Sequence, residues 1–286
     1  MKSGQYFCSF NALLSFAFLL PVSCNTNNKA IKMKGSDTEV NLAVKLAEYY
    51  SETDKHFNIA ISGGGSGLGI TSLMNGQADI ANSSRPLSEE EKLQFSAKGI
   101  ELKTIVFAED ATAFVVHSSL PIDEITTENL NKILSGSVTN WRSIADIDLP
   151  VNIYGRQSSS GTYSFVKKKL KIEFTPSAKE MTGNAQILEA LKTDRSGIGY
   201  VGAGYISHDT KVQQAVKVLK IKGPGDAPGI SPIDEEAIRK KIYFFQRPLY
   251  QFVLAGSWDA VKPFIDFEKG PVGKKLIEAS GYYIVD

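Results

Sequence analysis

An α/β architecture with a mainly parallel sheet is what this sequence predicts, on three observations. Alternating strand patterns and helical patterns succeed one another along the chain. A polar turn rich in glycine and hydroxyls stands where several of these strands hand over to a helix. The 286 residues carry 42% hydrophobic side chains, enough for one or two cores.

Residues 1–24 read as a targeting segment. Lys2 is its only charge, and the apolar run from Ala12 to Leu20 is too short to span a bilayer comfortably. Pro21-Val22-Ser23-Cys24 resembles a bacterial lipoprotein cleavage site with Cys24 as the lipidated first residue, although Pro21 stands where Leu is usual. An uncleaved anchor or simple secretion fits the same letters. Residues 25–29 then read as a tether. Cys8 lies inside the leader, so a mature chain starting at Cys24 is expected to have no disulfide and no Cys-rich metal site. No cofactor is expected. A net charge of +1 provides no general field directed at nucleic acid or acidic membranes.

The first unit runs from Ala30 to Tyr50. Ala30 to Lys34 alternates like a strand, Gly35-Ser36-Asp37-Thr38 is a turn, and Val40, Ala43, Val44, Ala47 and Tyr50 share a helical face. Ser36, Asp37 and Thr38 either cap that helix or form a ligand-binding turn. The second unit has Phe57, Ile59 and Ile61 on one side of a strand, then Ser62 to Gly69 with five glycines, then Ile70, Leu73 and Met74 at helical spacing. Such a loop lets backbone approach something closely, yet it has neither a P-loop ending nor a dinucleotide fingerprint. The third unit leads from Ala78 into Ser83-Ser84-Arg85, after which Ser88 and Glu91 make a capping box. Arg85 is either a ligand cation or half of a surface ion pair.

Val151 and Ile153 lead into the fourth turn, Gly155 to Thr162, with Tyr163, Val166 and Leu170 on the face of the helix that follows. A Ser/Gly/Thr loop opening a helix directs unpaired N–H groups and the positive dipole end into one small space. Arg156 adds a planar fork suited to a tetrahedral oxyanion. In open α/β sheets ligands sit beyond the carboxyl ends of the strands, where these turns gather. Four such turns with two arginines, Arg85 and Arg156, describe a site for a compact, multiply charged anion. Ordinary helix capping accounts for the same letters one turn at a time.

The ordered set Gly-Ser-Asp-Thr, Ser-Gly-Gly-Gly-Ser-Gly, Ala-Asp-Ile-Ala-Asn-Ser-Ser-Arg-Pro-Leu-Ser and Arg-Gln-Ser-Ser-Ser-Gly-Thr resembles the substrate-binding lipoprotein of bacterial phosphate ABC transporters. Gly197 to Gly202 and Arg247-Pro248-Leu249-Tyr250 look like that family too. The resemblance implies a type II periplasmic-binding-protein fold, with two lobes joined by two crossing linkers. Lobe 1 would comprise residues 30–110 plus 247–286 and lobe 2 residues 111–246. It further implies a monomeric, lipid-anchored extracytoplasmic protein that delivers inorganic phosphate to an ABC permease. The family's ligand positions fall on Ser36, Asp37, Thr38, Ser66, Ser84, Arg156, Ser160, Gly161 and Thr162. Some relatives carry an aspartate where Ser84 stands, which accepts the proton of HPO4 and rejects sulfate. Asp37 is then the carboxylate left to act as that filter, unless it only caps the Val40 helix.

The rest of the chain fits this layout. Phe107 to Val116 is expected to be the first crossing, Arg247-Pro248 the return, and Trp141 a packing residue of the second lobe. Asn184 opens a helix and is expected to cap it, with a role near the site as the alternative. Gly197 to Gly202 fits G-x-G-x-x-G by letter but reads as strand, so no nucleotide site is expected. An enzyme is the alternative of a different class. Ser164 and Lys167 match S-x-x-K without its companion motifs, and no nucleophile–base pair accompanies His56, His117 or His208. A secreted serine hydrolase is therefore disfavoured, and sulfate or molybdate is the alternative ligand.

Overall fold

The computed structural model describes Met1 and residues 30–206, 214–225 and 228–285. The leader beyond Met1, Cys24, the tether and His208 lie outside the described residues. Three strand–helix units come first: β1 (Ile31–Gly35) and α1 (Val40–Thr53), β2 (Ile59–Ser62) and α2 (Ser66–Met74), β3 (Ile80–Ser83) and α3 (Glu89–Ala97). The long strand β4 (Leu102–His117) leads to β5 (Glu124–Thr126), α4 (Thr127–Leu134) and α5 (Arg142–Ala145). Two further units follow, β6 (Asn152–Arg156) with α6 (Gly161–Leu170) and β7 (Lys179–Met181) with α7 (Asn184–Thr193), and then β8 (Gly197–Gly202). The chain closes with β9 (Val216–Val218), β10 (Lys220–Lys222), α8 (Glu235–Arg239), β11 (Gln246–Leu254), α9 (Trp258–Lys269) and α10 (Pro271–Glu278).

Strand order in the large sheet is β2-β1-β3-β11-β4-β8-β6-β7, with β9 also on β4. The strand–helix units pair in parallel, β1 with β2 and β3, and β6 with β7 and β8. Every antiparallel pairing in this sheet involves β4 or β11. The reason is connectivity: parallel neighbours need a crossover helix, whereas β4 and β11 are the strands by which the chain leaves and re-enters its first half. Residues 102–111 of β4 pair with β11, and Thr112 to Val116 pair with β8. One strand therefore serves two sheet halves.

Burial follows the same division. One core runs from Ala111 to Phe245 and includes Trp141, whose indole N–H donates to Ser196 O at 2.9 Å. The other joins Met33 to Ala108 with Leu249 to Tyr282. A smaller cluster of Ile70, Leu73, Ala78, Ala81, Phe95 and Phe252 covers the other face of the first sheet half. Among the described residues the chain passes between the two larger cores at residues 108–111 and 245–249, and Tyr283, next to the second core, packs on the first.

Local signals hold where the partners are close in sequence. Ser88 and Glu91 make the full capping box, with Glu91 N donating to Ser88 Oγ at 3.1 Å and Ser88 N to Glu91 Oε2 at 2.8 Å. Asn184 departs from expectation. Gly183 is the N-cap of α7 and has no side chain to cap it, while the Asn184 amide is drawn to Asp37.

The first core half also buries a carboxyl, Glu268 on α9, which receives Gln251 Nε2 at 3.1 Å and is fully enclosed. Burial pushes its pKa up to about 8, from an ordinary 4.5. The folded state thus holds a proton that the unfolded chain releases near 4.5. Stability from this group is complete below that pH, declines as pH rises, and levels off above about 8. Glu268→Gln should reduce the slope of stability against pH in this window by about 1.4 kcal/mol per pH unit. Urea unfolding at a series of pH values measures it, and an unchanged slope would show that Glu268 is charged in the fold.

Candidate functional site

The carboxyl ends of β1 and β3 and the start of α2 bring three serines together. Gly35, at φ 140°, ends β1 against β3, where any Cβ would fall 2.1 Å from Asn82 O. The close approach lets Ser36 N donate to Asn82 O at 2.9 Å, and so fixes the turn that follows. Ser36 Oγ donates to Ser84 Oγ at 3.2 Å, Ser66 Oγ lies 3.4 Å from Ser84 Oγ, and Ser84 N donates to Ser66 Oγ at 3.1 Å. Thr38 N donates to Ser36 Oγ at 3.2 Å.

The second core half supplies the opposite wall. Ser160 caps α6, accepting from Thr162 N at 3.2 Å and Tyr163 N at 3.4 Å. Gly161 has to be glycine, since a Cβ there would stand 2.3 Å from Ser66 Oγ and 2.5 Å from Ser84 Oγ. Thr162 Oγ1 meets Thr38 Oγ1 at 3.1 Å. The first turn of α6 has no acidic side chain and its last turn has Lys167, Lys168 and Lys169, so the positive end of its dipole faces the hydroxyls unopposed. Ser36, Thr38, Ser66, Ser84, Ser160 and Thr162 are all buried.

Two arginines reach this cluster, and one of them is not the pair read from the turns. Arg156 is buried, held by its N–H to the Tyr200 hydroxyl at 3.1 Å and by Nη2 to Thr182 O at 3.0 Å. Its Nη1 lies 3.4 Å from Asp37 Oδ2, and neither Nε nor Nη1 completes a hydrogen bond. Burial lowers its pKa, opposed by Asp37, but a guanidinium stays charged. The second is Arg247 from β11. Its Nη2 donates to Thr162 Oγ1 at 3.0 Å and Thr38 Oγ1 at 3.3 Å, while Nε and Nη2 hold Asp110 Oδ2 at 3.1 and 2.8 Å. Burial pushes Asp110 up and Arg247 pulls it back.

Arg85 goes elsewhere. Both its terminal nitrogens bind Glu91 at 2.7 Å, and Nη1 also donates to Pro86 O at 2.9 Å. The expectation of Arg85 as a ligand cation is corrected to the ion pair, because Glu91 is already fixed by its capping box six residues away. The reading of Asp37 as a cap of the Val40 helix is corrected. No side chain caps α1; instead Asp37 Oδ2 accepts from Asn184 N at 2.8 Å and Nδ2 at 2.7 Å, at the start of α7. The Tyr205 hydroxyl donates to Asp37 O at 2.7 Å, and the Tyr282 hydroxyl to Thr38 O. The glycine run does serve close approach, but to protein: Gly67 N donates to Ser159 O at 2.9 Å, and Gln157 Nε2 to Gly64 O at 3.3 Å.

Arg247, Asp110 and Asn184 are the residues that the turn motifs missed. The letters gave no signal for the first two, since β4 also carries Lys103 and Glu109 and β11 also carries Gln246 and Gln251; only the sheet register sets Asp110 against Arg247. Ser164 and Lys167 do not form a nucleophile and base, since Ser164 Oγ donates to Ser160 O and Lys167 pairs with Glu173. Among the described residues no group of His, Cys, Asp and Glu could hold a metal ion, and no helix is long and apolar enough to cross a membrane.

Buried hydroxyls, a helix N-terminus and two guanidinium groups converging from two α/β halves constitute the architecture of a solute-binding protein. The chain belongs to the PBP superfamily, whose domain matches residues 23–267. It is 28% identical over 281 residues to the phosphate-binding protein PstS of Borreliella burgdorferi, covering 94% of this chain and 95% of that one. To PstS of Pseudomonas aeruginosa it is 29% identical over 267 residues, covering 87% and 80%. An ABC-type phosphate transport receptor from Vibrio cholerae superimposes with a TM-score of 0.69 at 27% identity, over 89% of this chain and all of the other. A Clostridium perfringens substrate-binding protein solved with bound phosphate shares the fold, with a TM-score of 0.79 at 23% identity over 90% of this chain and 100% of that one.

The Asp110–Arg247 pair is enclosed and charged, so removing one partner strands the other. Asp110→Asn should destabilise the protein by about 3–5 kcal/mol in urea unfolding. A cost below about 1 kcal/mol would show that the pair is solvated and carries little.

Proposed function

We propose that this chain binds inorganic phosphate outside the cytoplasm and delivers it to an ABC permease. The observation that carries the reading is a cluster of six buried hydroxyls, drawn from both core halves and reached by Arg247, together with a buried Arg156 paired with Asp37 of the turn that carries Ser36 and Thr38, whose Nε and Nη1 have no hydrogen-bond partner. A buried guanidinium with unused donors is costly unless an acceptor completes it. A tetrahedral oxyanion has the size and the lone pairs to do so, and relatives bearing the name phosphate-binding protein support phosphate. Ser36, Asp37, Thr38, Ser66, Ser84, Arg156, Ser160, Gly161 and Thr162 are the assigned site, joined by Arg247.

In this reading residues 30–110 plus 247–286 form one lobe and 111–246 the other, and the linkers beside Asp110 and Arg247 act as the hinge. Cys24 carries a lipid anchor that tethers a monomer at the membrane surface. The division of the buried cores at residues 108–111 and 245–249 supports the lobes. Binding is the whole activity, with no chemical step.

Calorimetric titration of stripped protein with phosphate, sulfate and molybdate tests the function, and preference for sulfate or molybdate would reassign the ligand. Arg156→Ala should weaken phosphate binding roughly a hundredfold or more, because at least two charge-assisted bonds of about 1.5–3 kcal/mol each are lost. Unchanged affinity would remove Arg156 from the site.

Asp37 is proposed as the proton filter. An ionised carboxylate only accepts hydrogen bonds, so it favours HPO4 and repels sulfate. Asp37→Asn should narrow the phosphate-to-sulfate affinity ratio by about tenfold, the scale of one charge-assisted bond. A constant ratio with a fall in stability alone would leave Asp37 as the partner of Asn184 and nothing more.

A further inference from the structure

Glu39 is the one carboxyl near the site that no contact so far explains. It follows Thr38, is fully buried, and occupies the N-cap position of α1 without using its side chain as a cap. The Ser36 hydroxyl lies close enough to favour its charged form. Neither oxygen completes a hydrogen bond, however, because Ser36 Oγ donates to Ser84 instead. Four other polar groups face it: Arg247 from β11, Asp110 from β4, Tyr205 just beyond β8, and Tyr282 near the C-terminus. Arg247 is already engaged with Asp110.

The charges decide what Glu39 does. Arg156 and Arg247 are balanced by Asp37 and Asp110, two against two. A third carboxylate would make the cluster net negative where an anion is to bind. Resting on the phosphate-binding reading, we infer that Glu39 is a proton-linked residue behind the anion site, which must be a neutral acid when phosphate is bound. As pH rises above neutral, phosphate binding then draws up to one proton from solvent onto the Glu39 carboxylate.

Burial pushes the Glu39 pKa up to about 8 without ligand, which puts the exchange in an accessible range. Phosphate itself is mainly the dianion there and its remaining titration is the same for wild type and variants, while burial raises both facing tyrosines out of the window. Asp110, the other carboxyl facing Glu39, is still present in a Glu39 variant, so a proton taken up there would persist when Glu39 is replaced.

The test is calorimetric titration with inorganic phosphate from about pH 7.5 to 9.5, for wild type, Glu39→Gln and, should that fold poorly, Glu39→Met. Wild-type affinity should fall about 20-fold across the range, and the variants less than about twofold. At about pH 8.5, heats in buffers of different ionisation enthalpy should give an uptake of about three quarters of a proton for wild type and near zero for the variants. Wild-type binding that is strong at pH 7.5 and unchanged at 9.5 overturns this inference alone. So does a decline of equal size in wild type and variants, which would place the proton elsewhere. Absence of phosphate binding at pH 7.5 overturns the functional reading, and this inference with it.

Discussion

The ion pair between Arg247 and Asp110 is the interaction on which the rest of the site depends. Its partners stand on β11 and β4, the two antiparallel strands that connect the halves of the sheet, and are register neighbours there. Both side chains are almost wholly buried. From that fixed point Arg247 reaches Thr38 on one side and Thr162 on the other, so one guanidinium bonds to a turn from each half. A buried pair adds little net stability over an apolar one, yet it is severe about geometry, because either charge alone is costly. It sets where the two walls meet.

Close approach is the second constraint. The hydroxyls of Ser66 and Ser84 sit where a Cβ on Gly161 would be, so the N-terminus of α6 comes into direct contact with the first half. Gly67 and Ser159 repeat that contact through the backbone. The cluster is small because backbone faces backbone across it. Fixed N–H and O–H dipoles then stand in for the hydration a small anion loses on burial, with no surplus of formal positive charge.

The neutral balance makes buried acids informative. Glu39 and Glu268 are both fully enclosed and both pushed up to about 8 by desolvation. Glu268 shares an amide with Gln251 in the first core half, so its proton belongs to stability alone. Glu39 faces the residues that shape the anion cluster, so its proton belongs to binding as well. The same chemistry has two consequences, set only by what lies next to it.

What could be read from the letters was whatever has its cause nearby. The alternation of strands and helices, the Ser88–Glu91 capping box and the hydroxyl turns at the strand ends all rest on neighbours a few residues apart. Gly161 and Ser160 declared themselves because a helix start needs a cap and a glycine permits close contact. The pairing of Arg247 with Asp110, 137 residues apart, and of Asp37 with Asn184, 147 apart, had no local cause. Each of those four side chains is ambiguous until the sheet sets which charge or amide it meets. Arg85 shows the same rule from the other side: Glu91, held close in sequence, claims its guanidinium before any distant partner can. Composition and periodicity determined the layers and the kind of chemistry. Only the folded sheet, by bringing β4 against β11 and α6 against α2, decided which arginine stands at the centre.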